Sequence, residues 1–311
     1  MRAIRVHEFG GPEVLRLEQV ATPEPVTGEV LVRIQAAGVN PYETYVRAGA
    51  YIDLPGLPYT PGSDGAGVIE PDGRRVYVSG SLSGTYAEFA LCRTDQVHPL
   101  PDELSFAQGA AVATPYETAY RALFQRARAV RGERVLVHGA SGGVGLAAVQ
   151  FAAAAGLRVT GTAGSDAGLK LVASQADVRT LDHRDPRHLE ATAELTDGYG
   201  FDLILELLAN RNLGDDLGAL AMRGRVVVVG SRGRVEVDPR DLMNREGSVL
   251  GMRMPNATGD ELAEAHQAIA RGLAEGWLRP VVGRELPLAE APRAHEVLRE
   301  RPALGKLVLV P

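Results

Sequence analysis

The sequence predicts an α/β protein of two domains, a small β-barrel or sandwich and a doubly wound parallel sheet. Three observations support this prediction: short strand-like segments fill the N-terminal third, strands and helices alternate from Tyr116 onward, and the C-terminal part returns to the style of the first. Closely spaced short strands favour a closed all-β domain, whereas strand–helix alternation favours a parallel sheet covered by helices. We therefore expect residues 1–115 and 260–311 to form the first domain, with residues 116–259 inserted as the second.

The first domain is predicted from short segments that alternate apolar and polar residues or carry β-branched runs. Turn signals such as Gly10-Gly11-Pro12 separate these segments, because glycine and proline suit tight turns. One short helix is expected at residues 42–48, and Pro41 suits its first turn. The predicted strands are residues 1–7, 14–20, 29–36, 65–70, 75–79 and 86–91.

The second domain is predicted from longer segments. A helical stretch at residues 116–128 opens it, and the strands and helices that follow alternate as in a parallel, doubly wound sheet. After a helix at residues 259–276, the chain offers a strand, a short helix and a final strand at residues 305–310. The predicted sheet strands are residues 134–138, 158–162, 201–208, 225–230 and 249–254, and the helices among them are residues 143–155 and 166–176.

The composition is that of an ordinary globular protein. Of the 311 residues, 45% are hydrophobic and 23% are charged. The net charge of −6 argues against a dedicated nucleic-acid binder, because such binding depends on neutralising phosphates. Cys92 is the only cysteine, so neither an intrachain disulfide nor a multi-cysteine zinc cage can form. The sequence has no apolar leader and no apolar run that would span a membrane, and we expect a cytoplasmic protein.

A glycine-rich turn is the clearest functional signal. Gly139, Gly142 and Gly145 follow a predicted strand and open a predicted helix. Glycine allows a tight turn and a close approach of the backbone to a pyrophosphate, and the N-terminus of the helix attracts the negative charge. The strand before this turn and the helix after it are the context that a dinucleotide-binding site requires.

The end of the next predicted strand distinguishes between the two nicotinamide cofactors. NAD enzymes usually place an acidic residue there, where it binds the ribose 2′-hydroxyl. Residues 159–165 carry no carboxylate, and Asp166 lies at the start of the following helix, where a capping role is expected. Small residues at this point, with Lys170 one helical turn further on, leave room and a cation for a 2′-phosphate. The sequence therefore favours NADPH over NADH.

Motifs from end to end of the chain resemble one enzyme family. They are residues 8–15 (EFGGPEVL), 38–41 (GVNP), 43–45 (ETY), 57–64 (LPYTPGSD), 138–145 (HGASGGVG), 208–210 (LAN), 228–232 (VVGSR) and 276–278 (GWL). On these motifs the chain is similar to the zeta-crystallin-type NADPH:quinone oxidoreductases of the medium-chain dehydrogenase/reductase superfamily. The resemblance implies a GroES-like β-barrel catalytic domain, a Rossmann domain that binds NADPH, and reduction of quinones in the cleft between the domains.

The resemblance also implies that no metal takes part. Zinc-dependent members of the superfamily have a cysteine where this chain has Asn40, and a histidine and a glutamate where it has Ser63 and Asp64. A catalytic zinc needs three ligands that include thiolate or imidazole groups. Quinones accept electrons readily and need orientation more than activation by a metal. The remaining histidines are expected to be structural or exposed: His7 and His98 on strands, and His188, His266 and His295 on helices.

The family's site residues carry over to matching positions. Asn40, Tyr45 and Tyr51 are implied around the nicotinamide and the substrate, although the two tyrosines could instead only fill the seam between the domains. Asp64 is expected to stabilise its turn, and Cys92 to be a buried strand residue and not a nucleophile. The other implied cofactor contacts are Ser141, Gly142, Gly143, Val144, Gly164, Lys170, His183, Asn212 (with Asn210 as its competitor), Val229, Gly230, Ser231, Arg232, Met252, Arg253 and Met254.

Assembly and alternative functions complete these expectations. The family commonly pairs its cofactor domains edge to edge, so residues 248–254 are the expected interface strand of a homodimer, with a tetramer as the alternative. A second enzymatic hypothesis is an NADPH-dependent reductase of enones or enoyl thioesters. A third is a relative recruited for RNA binding, for which a helix face with Arg121, Arg126, Arg128 and Arg131 offers positive charge; a merely solvated helix would show the same residues.

Overall fold

A computed structural model of the chain describes residues 1–185, 187–188, 191–300 and 304–311. The chain divides into two compact units. Unit 1 contains residues 1–114, 280–300 and 305–311, and unit 2 contains residues 115–279. In the described part of the chain, no helix is both long enough and apolar enough to cross a membrane.

The elements are as follows. The strands are β1 (Arg2–Arg5), β2 (Arg16–Gln19), β3 (Glu29–Val39), β4 (Asp64–Glu70), β5 (Arg75–Ser79), β6 (Phe89–Arg93), β7 (Val97–Pro99), β8 (Arg134–Val137), β9 (Arg158–Ala163), β10 (Arg179–Asp182), β11 (Phe201–Glu206), β12 (Leu220–Val228), β13 (Ser248–Gly251), β14 (Val282–Pro287) and β15 (Lys306–Val310). The α-helices are α1 (Pro41–Arg47), α2 (Phe106–Gly109), α3 (Ala113–Tyr120), α4 (Gly143–Ala154), α5 (Asp166–Ala173), α6 (Ala191–Leu195), α7 (Ala209–Ala219), α8 (Pro239–Asn244), α9 (Gly259–Ala274) and α10 (Ala291–Glu300). Short 3₁₀ turns cover Pro12–Val14, Thr94–Gln96, Met254–Asn256 and Leu288–Glu290.

Unit 1 is built around the long strand β3. It pairs antiparallel with β4, β6 and β15, and β14 extends the sheet beyond β15. Alternate residues such as Val32 and Ile34 are buried and join the core of this unit, as the period of two in a half-buried strand requires. The C-terminal strand thus returns to the sheet that the N-terminal part begins.

Unit 2 is a six-stranded parallel sheet in the order β10-β9-β8-β11-β12-β13. This order is that of a Rossmann dinucleotide-binding fold, in which ligands bind at the carboxyl ends of the strands where the order reverses. Here that point lies between β8 and β11. The predicted combination of a mainly β domain and a doubly wound parallel sheet is confirmed.

The expected boundary at residues 259/260 is wrong, because α9 belongs to unit 2. Its first turn holds Glu261, whose carboxylate pairs with Arg121 at 2.5 Å. Gln125 also donates to the Glu261 carbonyl at 2.8 Å. These contacts keep α9 with the second unit, and the chain returns to unit 1 only at Pro280.

The helix expected at residues 116–128 also differs. It starts earlier, as α3, and changes to π-helical geometry over Arg121–Arg126, where Ala127 N–H donates to the Ala122 carbonyl. Arg121 is only 6% exposed, so the four arginines do not form one exposed cationic face. A buried, paired arginine removes much of the support for RNA binding.

Several elements were not predicted, and one predicted strand is shorter than expected. The helix α7 was not expected, because its Asn, Asp and Gly residues are weak helix formers, and the burial of Leu217 against the sheet stabilises it. The short strand β10 was also not expected. The segment at residues 249–254 is a strand only as far as Gly251. Other ends differ by a few residues, which is usual where elements fray.

Candidate active site

The glycine-rich turn joins β8 to α4 in unit 2. Gly139 adopts a φ of +57°, a left-handed conformation that favours glycine. A Cβ atom at Gly145 would lie 2.5 Å from the Gly139 carbonyl oxygen, so only glycine allows this close turn. No side chain caps α4 at Gly142, and the first helical N–H groups, which have no partner within a helix, are left for a ligand. The turn therefore fits the pyrophosphate of a dinucleotide, as predicted.

The end of β9 forms a second corner of this site. Ser165 caps α5 by accepting a hydrogen bond from Gly168 N–H at 3.1 Å, so Asp166 is not the cap that was expected. Asp166 instead pairs with Arg184 at 2.7 Å. Lys170 is exposed, and among the described residues no carboxylate forms an ion pair with it. The end of β9 carries no carboxylate, and a contact of Lys170 with an adenosine 2′-phosphate stays a prediction.

His183 lies beside Gly164, so the structure brings two predicted cofactor residues together. The exposed His183 side chain places Nδ1 3.2 Å from Thr162 Oγ1. Its Nε2 lies 2.4 Å from where a Cβ of Gly164 would stand, so the absence of a side chain at Gly164 makes room for the ring. Burial, followed by the nearby His188 and His138, lowers the pKa of His183. The ring is therefore largely neutral at physiological pH.

The carboxyl ends of β11, β12 and β13 bring the remaining predicted cofactor residues to the same edge of the sheet. Val229 and Gly230 donate their N–H groups to the Glu206 carbonyl, at 2.9 and 3.3 Å. Met252 N–H donates to the Val228 carbonyl at 3.1 Å. A Cβ at Gly230 would lie 2.5 Å from the Leu207 carbonyl oxygen, which again requires glycine. The predicted segments Val229–Arg232 and Met252–Met254 thus follow neighbouring strands.

The two asparagines of the α7 segment have partners inside unit 2. Asn210 accepts a hydrogen bond from Arg232 N–H at 2.8 Å, and Asn212 donates to Glu206 Oε2 at 3.0 Å. Asn212 is therefore held at the carboxyl end of β11, and Asn210 ties the loop after β12. A contact of either amide with nicotinamide stays a prediction.

Sequence analysis missed a buried cluster beneath this edge, formed by His138, Glu206 and Asp216. His138 Nε2 is 2.7 Å from Asp216 Oδ1 and 3.7 Å from Glu206 Oε2, and both acidic residues are 0% exposed. Burial is the main cause that raises the pKa of Glu206 and of Asp216 to about 7 and lowers the pKa of His138. The one signal of this cluster in the sequence was Glu206, an acidic residue at the end of an apolar strand.

This cluster has the spacing of a metal site, with one ligand atom from each residue within 4.8 Å of the others. Most of its polar atoms nevertheless have protein partners, although Asp216 Oδ2 is buried without a hydrogen-bond partner. Glu206 accepts hydrogen bonds from Leu208 N–H and from Asn212, and Asp216 is bonded to His138. These bonds, together with protons held at raised pKa, satisfy most of the cluster within the protein.

In unit 1, Asn40 lies between β3 and α1. Asn40 N–H donates to Glu43 Oε2 at 2.9 Å, which closes the first turn of the helix. The Asn40 side chain is 2% exposed and has partners on both its atoms: Lys306 Nζ donates to Oδ1, and Nδ2 donates to Asp64 Oδ2 at 3.0 Å. The structure thus gives Asn40 a buried network, so any contact with a cofactor or an acceptor is a proposal.

Glu43 and Tyr86 extend this network. Tyr86 Oη donates to Glu43 Oε2 at 2.6 Å, and the Tyr86 ring lies edge-on to His295 at 5.9 Å between centroids. Burial raises the pKa of Glu43 above its usual range and raises that of Tyr86. These buried residues support α1 from beneath.

Three half-buried tyrosines lie on and after α1. Two of them, Tyr45 and Tyr51, were predicted, and the third, Tyr42, was missed. The rings of Tyr42 and Tyr51 lie 5.8 Å apart, and Tyr42 Oη donates to Ser63 Oγ at 2.8 Å. Burial and then the charge of Glu43 raise the pKa of Tyr42 well above its usual value, so its phenol remains protonated. A flat acceptor could stack on such rings and bond to their hydroxyls.

The other histidines and the cysteine are placed largely as expected. His98 lies on β7, stacks on Tyr77 and has a pKa lowered by burial to about 4. His266 and His295 lie on α9 and α10, whereas His7 follows β1 and His188 lies in a turn and not on a helix. Cys92 is buried, which raises its pKa to about 12 and makes it a poor nucleophile.

The folds of the two units define a medium-chain dehydrogenase/reductase. Residues 26–102 match the model of the alcohol dehydrogenase GroES-like domain, and residues 143–271 match that of the zinc-binding dehydrogenases. The quinone oxidoreductase of Rattus norvegicus is 47% identical over 321 residues, which cover 100% of this chain and 98% of the rat protein. The chain belongs to the quinone oxidoreductase family, as the resemblance implied.

Solved structures agree with this assignment. The quinone oxidoreductase of Thermus thermophilus, described with its NADPH complex, is 34% identical with a TM-score of 0.87 over 100% of both chains. The Escherichia coli quinone oxidoreductase, complexed with NADPH, is 29% identical with a TM-score of 0.90 over 100% of both chains. The fold of this chain is therefore that of enzymes that bind NADPH.

Proposed function

We propose that this chain reduces quinones with NADPH and that no metal ion takes part in the reaction. The observation that carries the proposal is the glycine-rich turn at α4, whose geometry fits a dinucleotide, in a chain with full-length quinone oxidoreductase relatives. NADPH, when bound, supplies the reducing equivalents from its nicotinamide ring.

Unit 2 supplies the residues that would hold the cofactor. The N–H groups at the start of α4, from Gly143 and Val144, would bind the pyrophosphate, with Ser141 and Gly142 beside them. Lys170 would bind the 2′-phosphate, and His183 and Gly164 would border the adenosine. The segments Val229–Arg232 and Met252–Met254, with Asn212, would line the nicotinamide half, because they follow strands at the carboxyl edge of the sheet.

Unit 1 supplies the acceptor side in this proposal. Tyr51 and Tyr42 offer aromatic faces, and Tyr45 lies on the same short helix as Tyr42. A quinone needs a flat surface and a hydrogen-bond donor to orient its carbonyl, and phenols provide both. Asn40 contributes by fixing the start of α1, through its bond to Glu43.

The donor set argues against catalytic zinc. The side chains of Asn40, Ser63 and Asp64 offer an amide, a hydroxyl and a carboxylate, whereas zinc prefers thiolate and imidazole ligands. The Lys306 ammonium lies 2.8 Å from Asp64 and thus places a positive charge among these side chains. A metal cation would be repelled there.

The direct test is steady-state oxidation of NADPH with 9,10-phenanthrenequinone as the acceptor, compared with NADH. We expect quinone-dependent turnover and an affinity for NADPH about tenfold or more above that for NADH, the size of one charge-assisted contact. Turnover that persists after dialysis against a chelator supports the metal-free reaction. Loss of NADPH absorbance that does not increase with quinone would contradict the proposal.

We also propose a homodimer formed through β13, with a tetramer as the alternative. This strand is at the edge of the sheet, and Val249 on it is 41% exposed, so the edge is open to pairing. Light scattering should give twice the chain mass, and Val249→Lys should shift it toward the monomer. A wild type that remains monomeric at all concentrations would exclude this interface. The cytoplasmic location stays a prediction, which cell fractionation tests.

A further inference from the structure

Lys306 lies where three parts of unit 1 meet. It begins β15, and the next residue of that strand, Leu307, pairs with Val39 at the end of β3. Asp64 begins β4 and pairs with Gly38. The ends of β3, β4 and β15 therefore come together at Asn40.

The ammonium is buried and donates to two side chains. Lys306 is 5% exposed, Asn40 is 2% and Asp64 is 0%. Lys306 Nζ donates to Asp64 Oδ2 at 2.8 Å and to Asn40 Oδ1. The other Asp64 oxygen accepts hydrogen bonds from the N–H and the hydroxyl of Thr114.

A separate observation shows that the backbone is shaped for this side chain. A Cβ at Gly38 would lie 2.9 Å from Lys306 Cε and 2.2 Å from the Ala110 carbonyl oxygen. Glycine at position 38 therefore leaves the channel through which the lysine reaches Asp64. The fold therefore accommodates the buried Lys306 side chain specifically.

A buried ion pair is weak evidence for stability, because removing two charges from water offsets most of their attraction. Its effect on orientation is clearer. The ammonium fixes Asn40 with Oδ1 toward Lys306, so that Nδ2 points to Asp64. Asp64 Oδ1 in turn accepts a hydrogen bond from Ser63 Oγ at 3.2 Å, and Ser63 accepts one from Tyr42.

We propose that the Lys306 ammonium is the resident cation of this site and a positioning residue for quinone reduction. It balances the charge of Asp64 and holds Asn40 and the Ser63–Tyr42 pair in place. Without it, the Asp64 carboxylate would oppose the negative charge that a quinone gains on reduction before it takes up a proton. This inference rests on the proposed function, and it assigns the positive charge there to a side chain.

The first test compares Lys306→Met with the double variant Lys306→Met/Asp64→Asn. Loss of the cation alone should lower kcat for the quinone about 100-fold, the usual size for one electrostatic contact, and change the NADPH Kd less than about twofold. The double variant removes both charges of the ion pair. If the function of Lys306 is to balance the charge of Asp64, the kcat of this variant should be about tenfold higher than that of Lys306→Met. It also keeps the test decisive should Lys306→Met fold poorly.

The second test is chemical rescue of Lys306→Ala, which leaves a cavity beside Asp64. Propylammonium should raise kcat about fivefold or more and should also raise the melting temperature, because a small cation can occupy a cavity of its own shape. Tetramethylammonium, which cannot donate a hydrogen bond, and Lys306→Met, which has no cavity, are the controls. The melting temperature reports on cation binding independently of turnover.

The outcomes separate this inference from the proposed function. A wild type without NADPH:quinone activity would contradict the function itself. An active wild type with Lys306→Met at wild-type kcat would overturn the role of Lys306 and leave the function standing. Equal rescue by propylammonium and tetramethylammonium would overturn the positioning role, because a cation that cannot donate a hydrogen bond cannot orient Asn40.

Discussion

The protein buries acidic side chains in two regions and balances them in different ways. In unit 1, Asp64 has a fixed cation, Lys306, at 2.8 Å. In unit 2, Glu206 and Asp216 share a cluster with His138, and burial raises the pKa of both acids to about 7. In the first region the Lys306 cation balances Asp64, whereas in the second region protons balance Glu206 and Asp216. The first should therefore fail when its partner is removed, and the second should respond to pH.

The largest expected contrast is in stability. Lys306→Met should lower the free energy of unfolding by about 3–5 kcal/mol, because it leaves the buried Asp64 carboxylate without a cation. Asp216→Asn should cost only about 1 kcal/mol, because its pKa of about 7 lets the carboxyl take up a proton near neutral pH and an amide replaces that neutral form closely. Urea unfolding monitored by circular dichroism measures both. Similar losses in the two variants would remove the distinction between the regions.

The second prediction concerns pH. Because folding raises the pKa of Glu206 and Asp216 from near 4 to about 7, the folded state holds more protons than the unfolded state between these values. Their contribution to stability is therefore present at low pH and is lost as pH rises to about 7, by an amount on the order of 4 kcal/mol for each acid, because a change of one in pKa corresponds to about 1.4 kcal/mol. His138, with its lowered pKa, acts in the opposite direction below its usual value.

The double variant Glu206→Gln/Asp216→Asn isolates the two acids in this experiment. Unfolding free energies between pH 4 and 8, measured beside the wild type, should show a weaker decline with rising pH in the variant. Parallel curves would mean that the two carboxyls have ordinary pKa values in the folded protein.

The third prediction compares the two lysines, Lys170 and Lys306, the only ones in the sequence. Lys170→Met removes an exposed cation, so the free energy of unfolding should change by less than about 0.5 kcal/mol. The NADPH Kd should rise about tenfold while the NADH Kd stays unchanged, because only NADPH carries the 2′-phosphate. Isothermal calorimetry with both cofactors checks this. If the Kd values of NADPH and NADH rose equally, Lys170 would not be the residue that contacts the 2′-phosphate.

The smallest expected effect is at Gly164. In Gly164→Ala the new Cβ would meet His183 Nε2 at 2.4 Å, and this ring belongs to an exposed residue and can move. We expect a loss of a few tenths of a kcal/mol in stability and about a threefold rise in the NADPH Kd, as the adenosine corner is displaced. An NMR shift of the His183 ring would show the displacement directly.

The fold and the cofactor turn could be predicted because their signals are local. Three glycines between one strand and one helix determine the turn at α4, and a period of two is enough to indicate a strand such as β3. The parallel order of unit 2 then follows from strand–helix alternation. By contrast, α9 was assigned to the wrong unit, since the Arg121–Glu261 pair that holds it is invisible in either segment alone.

The buried networks could not be predicted for the same reason. Lys306 and Asn40 are 266 positions apart, and neither residue type in its own segment indicates the other. His138 and Asp216 come together only because β8 and β11 are neighbours at the point where the strand order reverses. Tyr42 was not predicted as a site residue, because its role depends on a hydrogen bond to Ser63, which follows α1 and a long loop.

The position of Lys306 in the chain has a consequence for biosynthesis. Strand β15 is translated after the whole of unit 2, so the Asp64 carboxylate leaves the ribosome long before its counter-ion exists. Unit 2 is continuous in sequence from Pro115 to Arg279 and can fold as soon as it emerges. At that point the nascent sheet of unit 1 lacks two strands, β14 and β15, and its buried acid has no counter-ion until the final segment is made.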